Sequence, residues 1–460
     1  MPGSAVLQLT LLTVAAAFAF VRMRPAILVF SANHAAVVLG LMHIDEGGRP
    51  LRYAYNPQFL FETDTVARAL EICLVPTILL ACAALVPGPT NPPPRRSLPR
   101  IPTPLLVIIG GYLLLIAASS RTIFEASYTS VDQGSSGGLT GGIYPLAWAF
   151  VLLAMRERID AGAIRPSRAF AGVVALLVVL DFSKGSTGLA AGVFVAALLL
   201  VYVPGMLRDA AATQPRTSAD TSAASEPRAT PRQTARVLGI AAVIVVALVT
   251  LVVLIRGSRA EMSRVGVVDA LAAATETLAA DDDVVGIESR ANGDQGAVHV
   301  LMCAALYDGG ISREWRSVWG PFEYTFKPSL LMRWLNLTRS PEAAWELMDY
   351  FIHLGGINTF GEFYWNGGFL CLFVMSFLLI GALFWLDVAS RWSTVALAMS
   401  CAVIPNLVQG YGYGFAQIFR GFSNGALFVL PVLAYLRYVE WERSKKKHAL
   451  SRPVALAPAK

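Results

Sequence analysis

The residues with the chemistry to move charged or sugar-like groups fall at the edges of apolar runs. LVVLIRGSRAEMSR (251–264) ends such a run with Arg256 and Arg259, and Arg264 follows closely. On a helix, residues three apart are neighbours on one face. Two guanidiniums placed so form a fork that matches the oxygens of a pyrophosphate through paired N–H groups. Arginines at a helix end that snorkel to lipid head groups give the same pattern. Lys184 lies in DFSKGSTG (181–188), a short turn between apolar runs. A cation so close to membrane depth takes an anionic partner, either a ligand or the nearby Asp181. Arg121 in SSRTIFEASY and Arg420 in QIFRGFSNG mark two further ends of apolar runs.

A second constellation is LGGINTFGEFYWNGG (354–368), which leads directly into FLCLFVMSFLLIGALFWL. Glu362, Tyr364, Trp365 and Asn366 combine a carboxylate, an amide and two aromatic faces, the means by which proteins hold sugar rings and hydroxyls. Its glycines permit tight turns and close approach of backbone. An interfacial aromatic belt with a helix-capping carboxylate would look alike. His353 stands just ahead, where an imidazole could take a proton from an attacking hydroxyl or simply pack. The acidic run Asp281–Asp283 and the pair Asp45/Glu46 have no spacing diagnostic of a metal, and they are expected to be solvated. There is no phosphate-binding glycine loop, nucleophile elbow, HExxH or CxxC pair. No metal and no cofactor is expected.

The elements that must position these groups are membrane helices. Hydrophobic residues make up 55% of the chain and charged residues 15%, against about a quarter charged in soluble domains. The mean hydropathy is +0.56. Apolar runs without strict alternation indicate helices, not a barrel. The expected fold is all-α and polytopic, with about eleven membrane helices at 5–21, 26–44, 67–86, 103–119, 143–155, 169–181, 189–203, 237–255, 367–386, 394–410 and 424–438. The N-terminus has no basic residue before its apolar run, so that run is expected to stay as the first membrane helix. Four of the five cysteines fall in apolar runs, so no disulfide framework is expected.

The net charge of +6 is a matter of topology, not of nucleic-acid binding. Arg22 and Arg24, then Arg95, Arg96 and Arg100, then Arg156 to Arg168, then segment 204–236, then the basic tail, occupy alternate connections. The positive-inside bias places all five in the cytoplasm, with the N-terminus outside and the C-terminus inside. Residues 1–203 thus carry seven membrane helices, 204–236 form a disordered cytoplasmic linker, and 237–255 form the eighth helix. Residues 256–366 form a large, partly helical outward segment, 367–438 the last three membrane helices, and 439–460 a basic tail. Within the outward segment, PEAAWELMDYFIHL (341–354) has a helix start signal and an apolar face through Trp345, Met348 and Ile352. A segment of that length with its own structure is functional more often than connective.

This pattern resembles the bacterial O-antigen and capsule polymerases, the oligosaccharide repeat unit polymerases. Members have ten to fourteen membrane helices and a large outward loop that returns through a Gly-Glu-x-Tyr-x-Asn-x-Gly-like stretch. Gly361, Glu362, Tyr364, Asn366 and Gly368 occupy the matching positions here. Arg256 and Arg259 look like the family's outward arginine cluster, and KGSTG is similar to its Gly-Ser-Arg-Gly-like turn, with lysine nearby in place of arginine. The resemblance implies a GT-C-like glycosyltransferase of the plasma membrane's outer face, acting on undecaprenyl-diphosphate-linked oligosaccharides among membrane lipids. A flippase and a chain-length regulator would be its partners, and nucleic acid would not. It further implies that Arg256 and Arg259, with Lys184, stabilise the leaving pyrophosphate. Glu362 or His353 would orient or deprotonate the acceptor hydroxyl, and aromatic residues of the outer loop would hold sugars. Arg264, Arg121, Tyr364, Asn366 and Arg420 are the further substrate-binding candidates. An O-antigen ligase, which shares the layout and places a histidine in its large loop, is the alternative. A lipid-linked saccharide transporter is a second, though the helix cores hold few charges.

Overall fold

The computed structural model describes residues 2–45, 58–88, 97–119, 133–180, 187–212, 230–257, 284–311, 343–351 and 356–450. Among these the chain is helical and contains no strand. The helices are α1 (Pro2–Val21), α2 (Pro25–Asp45), α3 (Thr63–Leu85), α4 (Thr103–Ser119), α5 (Gln133–Asp160) and α6 (Pro166–Leu180). Next, α7 (Thr187–Ala196) continues through a π turn (Ala197–Tyr202) into α8 (Val203–Ala212). Then follow α9 (Pro231–Gly257), α10 (Val284–Asp308), α11 (Ala343–Tyr350), α12 (Thr359–Ala389) and α13 (Thr394–Tyr413). Finally α14 (Phe415–Asn424) runs through a second π turn (Gly425–Val429) into α15 (Leu430–Leu450).

Each expected membrane segment overlaps one or more of these helices, with 189–203 and 424–438 running across a π turn. Among the described residues, six helical runs are long and apolar enough to cross a bilayer: Gly3–Val21, Pro25–Asp45, Thr63–Leu85, Leu189–Ala211, Thr359–Ala389 and Phe415–Lys445. Thr103–Leu113, Pro166–Val178, Gly296–Asp308 and Thr394–Val408 are shorter apolar helices. The outward faces of the long helices carry exposed Leu, Val and Phe, such as Leu370, Phe377 and Val243, as lipid contact requires. The chain is therefore a helical membrane protein.

Two features differ from the expected layout. The linker at 204–236 is helical at both its ends. Arg208 extends the first end by donating to the Asp160 carbonyl at 2.6 Å. At the other end, Thr230 and Gln233 close a reciprocal cap ahead of α9, with Gln233 N to Thr230 Oγ1 at 3.3 Å and Thr230 N to Gln233 Oε1 at 2.9 Å. Second, segment 256–366, expected to lie outside the membrane, contributes a helix to the core. The final turns of α10 (Ala297 to Ala304) are buried and pack against α2, α3 and α12.

Charged residues work as ties between helix ends. Where α1 meets α2, Arg22 donates to the Ala84 and Val86 carbonyls at 2.9 Å each, and Arg24 to Ala84 at 3.1 Å. These are among the orphan carbonyls at the end of α3. Arg24 is almost fully enclosed and lies over Phe384. Burial, with Arg22 and Arg391 nearby, lowers it to about 10. Opposite them, Asp387 accepts from the first amides of α2, Ala26 N and Ile27 N, at 3.0 Å each.

Between the helix ends runs a chain of buried polar groups. His34 Nε2 lies 2.9 Å from the Cys73 carbonyl, so that nitrogen carries the proton. Its Nδ1 then accepts from the Tyr411 hydroxyl. Thr77 and Gln8 extend the chain to α1. The network joins α1, α2, α3 and α13 inside an otherwise apolar bundle, where an unsatisfied polar group would be costly.

Candidate functional site

The stretch singled out in the sequence builds a short helix of its own. Asn358 caps it, its Oδ1 accepting from Phe360 N at 2.9 Å and Gly361 N at 3.1 Å. The helix ends at Gly367 and Gly368, where the backbone leaves helical geometry before the long apolar part of α12 begins. Gly368 has φ +63°, and a Cβ there would lie 2.5 Å from the Tyr307 hydroxyl. Only glycine combines that dihedral with that contact. Thus α12 is two helices meeting at a glycine break, and the motif occupies the first.

Its side chains point into protein. Tyr364 and Trp365 are 2% and 1% exposed, which removes the interfacial aromatic belt as an account of them. Glu362 is 3% exposed, and its Oε2 accepts from Phe415 N at 2.9 Å. Phe415 is the first residue of α14, and Gly414 before it has φ +91°. A Cβ on Gly414 would stand 2.8 Å from Glu362 Oε2. The carboxylate therefore caps a helix, as one sequence alternative had it, but the helix belongs to a different part of the chain. A negative charge there is favoured by the exposed amides and dipole of α14.

Tyr364 reaches in another direction. Its hydroxyl donates to Asp308 Oδ1 at 2.9 Å, and Arg68 Nε donates to Asp308 Oδ2 at 3.2 Å. Arg68 also pairs with Glu71 at 2.5 Å and lies over the Phe369 ring, 5.7 Å from its centroid. Trp365 Nε1 donates to the Ile311 carbonyl at 2.7 Å, and Tyr350 of α11 meets the Trp365 ring edge-on. The motif thus joins the beginning of α3, the end of α10, and α11 at one end of the bundle. That is the end of α3 opposite the one tied by Arg22 and Arg24.

Of the remaining candidates, Asn366 is half-buried beside the glycine break. Arg420 lies in the second turn of α14, near the start of the long run Phe415–Lys445, and donates to Gln417 Oε1 at 3.1 Å. The sequence reading missed α14 because residues 415–424 alternate polar and aromatic groups too closely to look like a membrane segment. Arg256 is on the last turn of α9, and its side chain is outside the described residues. Lys184, Arg121, Arg259, Arg264 and His353 also lie outside them. Asp308, Arg68 and Glu71 were not among the candidates. The signal for Asp308 was available: an apolar run at 297–307 stopped by Asp-Gly-Gly, a helix end with a carboxylate on its last turn. Comparison with family models, curated proteins and solved structures finds no match to this chain.

Proposed function

We propose that the chain is a membrane glycosyltransferase of the oligosaccharide repeat unit polymerase type, with about eleven membrane helices in a GT-C-like arrangement. It would join undecaprenyl-diphosphate-linked repeat units at the outer face of the plasma membrane. The observation that carries the reading is the use made of the Gly-Glu-x-Tyr-x-Asn-x-Gly stretch. Glu362 and Tyr364 are both committed to polar contacts with other elements. The stretch is therefore a built element at the mouth of a membrane helix, not a surface belt.

In this scheme the donor is a growing saccharide on lipid diphosphate and the acceptor is a hydroxyl of the next lipid-linked unit. Arg256 and Arg259, with Lys184, stabilise charge that develops on the departing diphosphate. Arg264 and Arg121 are further candidates to bind the same diphosphate. Glu362 positions α14, and with it Arg420, against the motif. The half-helix N-terminus at Phe415 is already covered by Glu362, so it does not serve an anionic cargo as such ends do in transporters. The orientation that follows puts the Arg22/Arg24 end of the bundle in the cytoplasm and the Tyr364 end outside.

The test is the saccharide profile of cells lacking the gene. Single repeat units left on lipid are the expected result. Completed polymer on lipid that is never delivered to its final acceptor would make the chain a ligase. An unchanged profile would remove the chain from this chemistry.

A further inference from the structure

Glycosyl transfer to a hydroxyl needs a group that takes the hydroxyl proton, and Glu362 is badly placed for it: buried, with its carboxylate turned to a backbone amide. The motif's tyrosine leads instead to a carboxylate at the surface. Resting on the glycosyltransferase reading, we infer that Asp308 is the base for the acceptor hydroxyl, in a half-open saccharide site made with Arg68, Glu71 and Phe369 at the outer end of α3, α10 and α12.

Four observations support this assignment. The Asp308 side chain is 43% exposed, with Arg68 at 40% and Glu71 at 57% beside it, so a ligand can reach the carboxylate. Each Asp308 oxygen accepts one bond, from Tyr364 and from Arg68. A carboxylate has about four acceptor positions, so each oxygen keeps a lone pair for a hydroxyl. Tyr364 is buried and fixed between Tyr307 and Phe369, which holds Asp308 in one orientation, as a positioned proton acceptor requires. Finally, Phe369 is 40% exposed and adds apolar surface beside Arg68, and Gly309 and Gly310 next to the carboxylate are exposed. A neutral, hydroxyl-rich ring fits this mixture of carboxylates, a guanidinium and an aromatic face.

The step balances as follows. The acceptor O–H gives its proton to Asp308 Oδ. The freed oxygen pair forms the new bond to the donor's anomeric carbon. The anomeric carbon–oxygen bond to the lipid diphosphate breaks, and the diphosphate leaves with that electron pair. Asp308 then returns its proton to water. Asp308 would be the catalytic residue; Tyr364 and Arg68 act through it and are positioning residues.

The experiment uses the full chain in lipid vesicles, with lipid-linked repeat units extracted from cells that lack the gene. Asp308→Asn keeps the shape and can still accept from Tyr364, but it cannot take a proton. The expected result is a loss of about 100-fold or more in kcat, with affinity for the repeat-unit lipid held within about threefold. Tyr364→Phe should lower kcat about tenfold, the scale of one lost contact, again with little change in affinity. A group that merely ties α3 to α10 would lower folded protein and leave kcat per folded molecule unchanged. Polymer formation by Asp308→Asn within about threefold of wild type overturns the assignment, as does a loss confined to affinity. If Asp308→Asn does not fold, Tyr364→Phe decides, and an unchanged kcat overturns the inference. Wild-type chain that makes no polymer from the extracted lipid overturns the glycosyltransferase reading itself, a result distinct from failure of the variant.

Discussion

Glu362 and Asp387 lie near opposite ends of α12 and act alike: each presents a carboxylate to the first amides of another helix, α14 and α2 respectively. Helix N-termini have orphan N–H groups that must be satisfied when buried, and in a membrane no water substitutes. Removing Glu362 as Glu362→Ala should destabilise the chain by about 1–2 kcal/mol, seen as a lower Tm in detergent. Glu362→Gln retains an acceptor oxygen for Phe415 N and should lose less. Equal losses in both would show that charge, not the hydrogen bond, matters there. Asp387→Ala should be worse, because it strands two buried amides and leaves the Arg24 and Arg391 cations uncompensated. The expected cost is roughly 3–5 kcal/mol, read as loss of folded protein from membranes. A Tm unchanged by Asp387→Ala would contradict this account of the tie.

At the scale of elements, close approach depends on glycine. A Cβ on Gly421 would lie 2.9 Å from the Val403 Cα, and one on Gly425 would lie 2.6 Å from the Met399 sulfur. The two are four apart, so one face of α14 and the following π turn is smooth against α13, as small residues allow in membranes. A Cβ on Gly192 would likewise lie 2.6 Å from the Pro405 carbonyl oxygen. Gly192→Ala and Gly421→Ala should each lower stability by about 1–3 kcal/mol, because backbone must yield. Gly110→Ala, where added carbon meets nothing within 4 Å, is the control and should be neutral within error. The long apolar helical runs, such as Thr63–Leu85 and Thr359–Ala389, were legible in the sequence because run length identifies them. The GEFYWNGG stretch was legible as a special place because polar and aromatic types crowd a helix mouth. What it touches was not legible: Glu362 to Phe415 and Tyr364 to Asp308 span 53 and 56 residues, and no local spacing encodes such pairs. The core position of α10 was hidden for a related reason: only its second half is apolar, and half a span looks like loop.

For the whole molecule, the two ends of the bundle have different chemistry, and orientation decides what that chemistry can do. One end collects Arg22, Arg24 and Arg391. It also holds the contact of the tail with 97–100, where Arg100 N donates to Glu440 at 2.6 Å and Arg437 to the Ser97 carbonyl at 3.1 Å. The other end has Arg68 paired with two carboxylates, with Tyr364 and Phe369 beside it. In the proposed orientation the arginine bias would put the first in the cytoplasm, and a lipid-diphosphate reaction on exported saccharide would need the second outside. Cysteine accessibility separates the alternatives on intact cells, in a background where Cys73, Cys82, Cys303, Cys371 and Cys401 are replaced by Ser or Ala. A membrane-impermeant thiol reagent should label Glu71→Cys and Tyr350→Cys, both exposed, without lysis. Ser444→Cys, exposed on α15, should react only after the cells are opened. The reverse pattern would put Asp308 and the motif in the cytoplasm, where the donor would have to be a soluble activated sugar. The chain has no motif to hold one, so that single result would remove both the polymerase reading and the role given to Asp308.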